Sequence, residues 1–458
     1  MEKQETLFGH PKGLYILFLT EMWERFSYYG MRAILTLYMY TEATAQNPGL
    51  GWDKTFALSI YGWYTMAVYV MSIPGGIIAD RLLGQKKAVM LGGLLLCIGQ
   101  SVLAFEGIYC FVSGLTLIVF GVGLLKPNIS TIVGGLYKQG DIRRDKGFTI
   151  FYMGINCGAL LAALIAGGVG EKYGWHYGFG LAGIGMIIGQ VTFILGQKYL
   201  KGIGESAKDL EKSGVDLKRP LTKIERDRMV VLLLSFIIII VFWGAFEQAG
   251  GLMNIYTNEK VNRSLFGWEM PTTWFQAFNP GFIILFGTLV ANFWANRQLK
   301  NKEASTLLKM ASGTIIMGLG FLLMTGASME SSSSADGKAS LYWLIGAYLL
   351  HTIGELCASP TALSFITKLA PVKYASFMMG AYFAATGLGN KVAGILGEQA
   401  QSAGEMEIFL GIFIFTVAFG LLLRVFLKKL KALTHGAEDI TADEHETEGF
   451  EVADTATA

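Results

Sequence analysis

The sequence predicts an all-α integral membrane protein with twelve transmembrane helices in two six-helix bundles. Of its 458 residues, 52% are hydrophobic and only 16% are charged, whereas about 25% charged is usual for soluble domains. Apolar segments of about 20 residues follow one another along the chain with short charged loops between them, as in membrane-spanning helices. A net charge of +2 is too small to indicate a nucleic-acid partner.

The predicted helices fall into two groups of six on either side of a charged stretch. Half of the residues from Lys201 to Arg228 are charged, which predicts a solvated linker rather than a membrane segment. We therefore divide the chain into an N-terminal segment 1–13, a bundle 14–200, a linker 201–228, a second bundle 229–431 and a disordered acidic tail 432–458. The predicted helices are 14–40, 54–80, 86–105, 108–136, 149–168, 175–198, 229–256, 274–297, 308–326, 341–367, 375–397 and 407–430.

Lys and Arg concentrate in the loops on one side of the predicted membrane. The loops after the second, fourth, eighth, tenth and twelfth helices carry most of them, including Arg81, Lys138 and Arg297. The positive-inside bias then places both termini and the linker in the cytoplasm.

The first predicted helix carries Glu21, Glu24, Arg25 and Arg32 within an otherwise apolar run. Each charge near a bilayer centre costs about 2.5–3.5 kcal/mol, so such residues usually face a water-filled cavity or a partner. At about 100° per residue, these side chains share one face of the helix with Tyr28 and Tyr29. The alternative is a structural polar network. Two acids within one turn of a base make ionisation sensitive to small changes, which favours proton loading.

Two pairs of opposite charge lie at matching depths in the two predicted bundles. Arg32 and Glu247 lie at similar heights towards the outer half, and Lys126 and Glu355 share a level in the inner half. If the bundles face a central cavity, the pairs can alternate as an outer and an inner gate. They can also be static ion pairs that hold the bundles together. A substrate that replaces a lost partner must itself be charged, and a zwitterionic dipeptide meets that requirement.

Several uncharged polar residues are further candidates for the cavity. Asn156 and Asn279 lie inside apolar helices, where an amide needs a partner. Tyr29, Tyr69 and Tyr152 are more ambiguous, because a Tyr in a membrane helix is commonly an interfacial anchor or a packed core residue.

Six segments of the chain resemble motifs of one family of membrane proteins. Residues 21–30, EMWERFSYYG, resemble the ExxERFxYYG signature of the proton-dependent oligopeptide transporters, a branch of the major facilitator superfamily, and 76–87, GIIADRLLGQKK, match the superfamily's loop motif GxxxDRxxGxKK. The other similar segments are 121–130, GVGLLKPNIS; 151–158, FYMGINCG; 274–280, WFQAFNP; and 354–360, GELCASP. The resemblance covers nearly all of residues 8–430.

This resemblance implies a major facilitator fold and a proton-coupled importer of di- and tripeptides. It implies a non-enzymatic protein that uses the proton gradient without a cofactor or metal, functions as a monomer and lies in lipid in the bacterial inner membrane. It assigns peptide binding to Arg32, Lys126, Asn156, Asn279 and Glu355, the cavity lining to Tyr29, Tyr69 and Tyr152, and proton coupling to Glu21, Glu24, Arg25 and Glu247.

The chain departs from the family pattern in two ways. The linker is too short for the two extra helices that many bacterial members carry between the halves. Tyr382 stands where many members have Trp, and Phe246 precedes Glu247 where some relatives have a second Glu. Two alternative functions stay open: a carrier of nitrate or another small anion, and a peptide-binding receptor that does not transport. Glu355 and the Asn residues favour a substrate with a cationic amine.

Overall fold

Twelve long helices make up most of the fold. The computed structural model describes residues 5–137, 143–201, 203, 220–300, 302–371 and 375–437. The helices are α1 Lys12–Tyr40; α2 Lys54–Val70, continued by Ser72–Ile78; α3 Gln85–Leu103; α4 Ile108–Gly135; α5 Arg143–Leu161, continued by Gly168–Tyr173; α6 Trp175–Gly196; α7 Lys223–Phe246, continued by Leu252–Lys260; α8 Phe278–Leu299; α9 Thr306–Ser333; α10 Leu341–Leu369; α11 Ala375–Ala403; and α12 Glu405–Ala432.

Short irregular turns and strands join or interrupt these helices. Two π-helical turns, Ala79–Leu83 and Ala162–Gly167, lie at the end of α2 and inside α5, and 3-10 turns lie at Gln197–Leu200, Glu247–Ala249 and Thr272–Ala277. In the described part of the chain, six two-residue strands form three small pairs. They are β1 Thr6–Leu7 with β2 His10–Pro11, β3 Val261–Asn262 with β6 Ala339–Ser340, and β4 Ser264–Leu265 with β5 Trp268–Glu269; the middle pair is parallel and the others are antiparallel.

The apolar cores of the two bundles are separate. One core joins residues from α1 to α6, including Leu17 and Phe179. Two others lie within α7 to α12 and include Phe321 and Phe365. Helices in a membrane associate by close packing of small residues, and a Cβ added to Gly75 of α2 would lie 2.0 Å from the carbonyl oxygen of Gly123 on α4. That helix crossing therefore requires glycine.

Ten helical segments in the described part of the chain are long and apolar enough to cross a membrane. The other two are α1, which carries several charges, and α11, which is rich in Gly and polar residues. Both pack against neighbouring helices: α1 lies against α5 and α6, and α11 lies against α2 and α7. Their neighbours shield much of their surface from lipid, so they tolerate more polar sequences.

The two bundles meet along α2 and α11, along α5 and α8, and where α1 meets the second part of α7. Six membrane crossings separate the start of α1 from the start of α7, and six more lead to the end of α12. The start of α1, the start of α7 and the end of α12 therefore lie on one side of the molecule, which we call the terminal side. The opposite side is the distal side.

Some predicted boundaries are wrong because helices extend into polar residues beyond the apolar run. Helix α7 begins at Lys223 rather than at 229, since Thr222 and Glu225 form a capping box. Helix α9 runs to Ser333 rather than to 326, and the hydroxyl of Ser332 bonds to the Ser328 carbonyl one turn earlier.

Part of the predicted tail is ordered. The Arg228 Nε donates to the carbonyl oxygen of Thr434 at 3.0 Å, and His435 lies 2.7 Å from Asp227. The rest of the tail, 438–458, and most of the linker, 202 and 204–219, lie outside the described residues.

Candidate substrate cavity and its charged groups

A cavity of about 210 Å³ lies between the two bundles. A single water needs about 10–15 Å³ by this measure, so the cavity has room for a small solute. Helices α1, α2, α4 and α5 form one wall, and α7, α8, α10 and α11 form the other. The predicted site residues that line it are Glu21, Arg25, Tyr29, Arg32, Tyr69, Lys126, Tyr152, Asn156, Glu247, Asn279 and Glu355.

Glu21, Glu24 and Arg25 form a buried cluster on α1. Arg25 Nε lies 3.1 Å from Glu21 Oε1, one turn away on the same helix face, and Arg25 also pairs with Glu24. Glu24 is only 1% exposed and lies outside the cavity lining. Among the described residues, Glu21 Oε2 and Glu24 Oε1 have no hydrogen-bond partner. The cluster therefore holds one acid more than bases and has free carboxylate oxygens for a proton.

Arg32 and Glu247 form an ion pair between the bundles, in the distal half of the cavity. Arg32 Nη1 lies 3.1 Å from both carboxylate oxygens of Glu247. The Tyr61 hydroxyl donates to Glu247 Oε1 at 2.5 Å. Helix α7 is interrupted at this point, and a Cβ on Gly250 would lie 2.0 Å from the Tyr61 hydroxyl oxygen. Glycine at that position therefore lets Tyr61 reach the carboxylate.

Lys126 and Glu355, in the terminal half, are not paired with each other. Lys126 Nζ lies 3.7 Å from the centre of the Tyr69 ring, a cation–π contact. Glu355 Oε2 accepts a hydrogen bond from Asn279 Nδ2 at 2.8 Å, and the same nitrogen lies 3.1 Å from Thr352 Oγ1. The distal pair is thus formed in this structure while Lys126 and Glu355 each have another partner.

The remaining predicted residues lie beside these charges. The Arg32 guanidinium lies 5.0 Å from the centre of the Tyr29 ring, and that of Arg25 lies 5.9 Å from it. Asn156 Nδ2 donates to the carbonyl oxygen of Tyr152 one turn earlier, at 3.0 Å. The Tyr29 ring thus lies between Arg25 of the α1 cluster and Arg32 of the ion pair between the bundles.

Sequence reasoning missed Tyr61 and the aromatic wall of the second bundle. Tyr61, Thr65 and Tyr69 recur every four residues on α2 and therefore share one side of it. That spacing was the available signal, although it does not reveal the contact with α7. The aromatic residues of the second bundle that line the cavity are Trp243, Phe246, Tyr348, Tyr382 and Phe383.

Among the residues that the structure describes, the cavity lining has as many acidic as basic side chains. Its bases, Arg25, Arg32 and Lys126, all belong to the first bundle, whereas two of its three acids, Glu247 and Glu355, belong to the second. The described lining of the cavity is therefore neutral overall but polarised across its width, which suits a molecule with a positive and a negative end. The described residues contain no cluster of His, Cys, Asp and Glu that could hold a metal ion.

The model of the POT family matches residues 86–217 and 221–408 of this chain. The chain belongs to the POT family. A transporter of Bacillus subtilis strain 168, YclF, whose function is uncharacterised, is 38% identical over 86% of this chain and 89% of the relative. A di-/tripeptide transporter of Lactococcus lactis subsp. cremoris is 33% identical over 94% of this chain and 98% of the relative.

Solved structures of POT family transporters have the same fold. One, in complex with a thioalcohol-conjugated peptide, is 33% identical and superposes with a TM-score of 0.85 over 93% of this chain and 98% of the other. The predicted major facilitator fold of twelve helices is thereby confirmed. This POT chain is a multi-pass membrane transporter rather than an enzyme, and POT family transporters need no cofactor.

Proposed function

We propose that this POT family member is a proton-coupled symporter that imports di- and tripeptides by alternating access. The observation that carries the proposal is the polarised cavity, in which Arg32 and Lys126 face Glu355 and Asn279 across the space between the bundles. A peptide zwitterion offers the complementary pair of charges. The Lactococcus lactis relative, named a di-/tripeptide transporter, supports the same substrate class.

Each end of the peptide has a partner in this proposal. Arg32 and Lys126 hold its carboxylate, because cationic donors form strong charge-assisted hydrogen bonds with carboxylates. Glu355, positioned by Asn279, holds its amine. Asn156 bonds to the peptide backbone, and Tyr29, Tyr69 and Tyr152 line the space around it.

The two charge pairs act as gates in alternation. The Arg32–Glu247 pair, at 3.1 Å, closes the distal side in the state described here. When a proton weakens it, the bundles separate on the distal side, and Lys126 pairs with Glu355 to close the terminal side. Peptide that enters and binds Lys126 and Glu355 then breaks this second pair. An ion left without its partner in such a site is costly, so the pairs exchange rather than open together.

Proton coupling resides in Glu21, Glu24, Arg25 and Glu247. The free carboxylate oxygens of the α1 cluster accept a proton from the distal side and release it on the terminal side. The proton gradient thereby drives uptake. Glu247 takes part because a proton on its carboxylate weakens its attraction to Arg32.

We place the chain in the inner membrane of a bacterial cell, with the terminal side and both chain ends in the cytoplasm. The Lys and Arg of the terminal-side loops support this orientation. Large apolar side chains exposed on the outside of the bundles, such as Leu285 and Phe293, face lipid. The cavity is built from one chain, so a monomer suffices for transport.

A competition experiment tests the substrate class. Uptake of labelled dialanine into proteoliposomes is measured with unlabelled dialanine, N-acetyl-dialanine or nitrate in excess. We expect strong competition from dialanine and weak competition from the acetylated peptide, because acetylation removes the charge that Glu355 recognises. Neither uptake nor binding of dialanine would favour the anion carrier, and binding of dialanine without uptake would favour a receptor.

A further inference from the structure

Glu171, at the distal end of α5, carries a carboxylate outside the cavity lining. Its side chain is 16% exposed. Oε1 accepts hydrogen bonds from the Thr272 amide at 2.8 Å and from Arg263 Nη1 at 3.1 Å. Oε2 accepts from the Thr273 amide at 3.1 Å and from its hydroxyl at 3.3 Å. All four donors belong to the other bundle.

The two amides belong to the first residues of the helical segment that leads into α8. Such amides have no partner within their own helix and lie at the positive end of its dipole. A side chain at the N-cap position commonly satisfies them. Here the N-cap residue is Pro271, whose side chain makes no capping hydrogen bond. Glu171 therefore caps the 3-10 turn Thr272–Ala277, which leads into α8, from across the interface between the bundles.

Glu171 is held firmly by its own bundle. Asn47 Nδ2 donates to the carbonyl oxygens of Gly170 at 3.0 Å and of Glu171 at 3.2 Å. Asn47 Oδ1 accepts from the amide of Trp175 at 3.2 Å. Because these contacts tie Glu171 to the first bundle, the carboxylate cannot follow α8 when the bundles separate.

We propose that Glu171 is a further gating residue, which stabilises the distal-closed state by capping the 3-10 turn before α8 from the opposite bundle. The inference rests on the alternating access proposed above. Distal opening separates Glu171 from both amides and from Arg263. Glu171 lies outside the cavity lining, so peptide does not compete for it. It therefore sets the resting ratio of closed to open molecules, whereas Arg32 and Glu247 respond to the substrate.

The test is a distance measurement by electron spin resonance on the full chain, in lipid nanodiscs without peptide or proton gradient. Spin labels are attached at Tyr109→Cys and Ala335→Cys, exposed positions at the distal ends of the two bundles, after alanine replaces the four native cysteines. We expect Glu171→Ala to raise the ratio of distal-open to distal-closed molecules about 5- to 30-fold, as expected from the loss of a helix cap. Glu171→Gln, which keeps one accepting oxygen, should give a smaller rise.

The matched control is Glu259→Gln, which removes another carboxylate that crosses the distal interface, since Glu259 pairs with Lys54 at 2.6 Å. We expect a smaller shift than for either Glu171 variant, because Glu259 caps no helix. An unchanged ratio in folded Glu171→Ala overturns the proposal; if that variant does not fold, an unchanged ratio in Glu171→Gln overturns it. An equal shift in Glu259→Gln also overturns it, because loss of any distal charge would then suffice. The distance between the spin labels can be measured whether or not the protein transports peptide. A failure of dialanine uptake would therefore contradict the proposed function without deciding the role of Glu171.

Discussion

The two arginines of α1 lie on the same face of one helix, seven residues apart, yet they have different kinds of partner. Arg25 is bound by Glu21 and Glu24 of its own helix. Arg32 is bound by Glu247, which belongs to the other bundle. The first cluster can keep its geometry through a movement of the bundles, whereas the second pair must break when they separate on the distal side.

This difference separates two tasks that a coupled transporter must perform. A group that stores a proton needs a stable environment, which a cluster within one helix provides. A group that responds to opening of the distal or the terminal side must change its partner when the conformation changes. The account therefore predicts that variants in the first cluster disturb coupling, and that variants in the second shift the conformational equilibrium.

The largest effect is expected for Glu21→Gln. Gln cannot take up and release a proton, so proton-driven uptake of dialanine should fall to background while exchange of peptide across the membrane remains partly intact. Uptake and exchange into proteoliposomes measure both. Glu303→Gln, which loses a carboxylate paired with Lys431 at 3.0 Å outside the cavity, is the control. Loss of both activities in folded Glu21→Gln would mean that the residue is not specifically a coupling group.

The next largest effect is expected for Glu247→Gln. The amide leaves the charge of Arg32 uncompensated, which costs the distal-closed state about 2 kcal/mol, or roughly 30-fold in its ratio to the open state. The distance between labels at positions 109 and 335 measures this ratio. The control is Glu330→Gln, because Glu330 is hydrogen-bonded to Trp343 within one bundle. A ratio unchanged by Glu247→Gln would remove the pair from the distal gate.

A smaller effect is expected for Lys126→Ala, which removes a cation from the cavity wall. Loss of a hydrogen bond to the peptide carboxylate costs about 1.5–2 kcal/mol, so the KM for dialanine should rise roughly 10- to 30-fold. Lys391→Ala is a matched control, because Lys391 pairs with Glu398 at 3.2 Å and lies outside the cavity lining. Normal uptake kinetics for Lys126→Ala would exclude Lys126 from the substrate site.

The smallest effect is expected for Tyr61→Phe. Glu247 keeps its contacts with Arg32, so loss of the Tyr61 hydroxyl should cost the distal-closed state about 1 kcal/mol, or roughly fivefold in the same ratio. Tyr64→Phe is the control, since the Tyr64 hydroxyl contacts only Met31 Sδ, at 3.9 Å, among the hydrogen bonds found for it. Equal shifts in the two variants would show that the hydroxyl of Tyr61 has no special role.

The sequence predicts the helices well and their ends less well, for a physical reason. An apolar run long enough to cross the membrane is visible from composition alone. The start of α7 is not, because residues 223–228 are highly charged and their helix begins at a capping box formed by Thr222 and Glu225. The break at Glu247–Ala249 brings Gly250 against the Tyr61 hydroxyl of the other bundle, a contact that no local pattern contains.

The contacts of the site residues are likewise only partly predictable from local sequence patterns. Counting residues from the helix ends predicts that Arg32 and Glu247 lie at the same depth in the membrane. In the structure, Arg32 Nη1 lies 3.1 Å from Glu247 Oε1. The arc on α1 includes Glu24, yet Glu24 lies outside the cavity lining because helix rotation turns it towards the interior of the bundle. Glu171 could not be predicted, because a Glu near a helix end usually indicates a solvated loop.

The central claim is that a proton gradient drives peptides through this cavity. Uptake of labelled dialanine into proteoliposomes, with and without an inward proton gradient, tests it most directly. The account predicts accumulation that requires the gradient and that excess unlabelled dipeptide suppresses. Protein that binds dialanine and accumulates none under any gradient would contradict it.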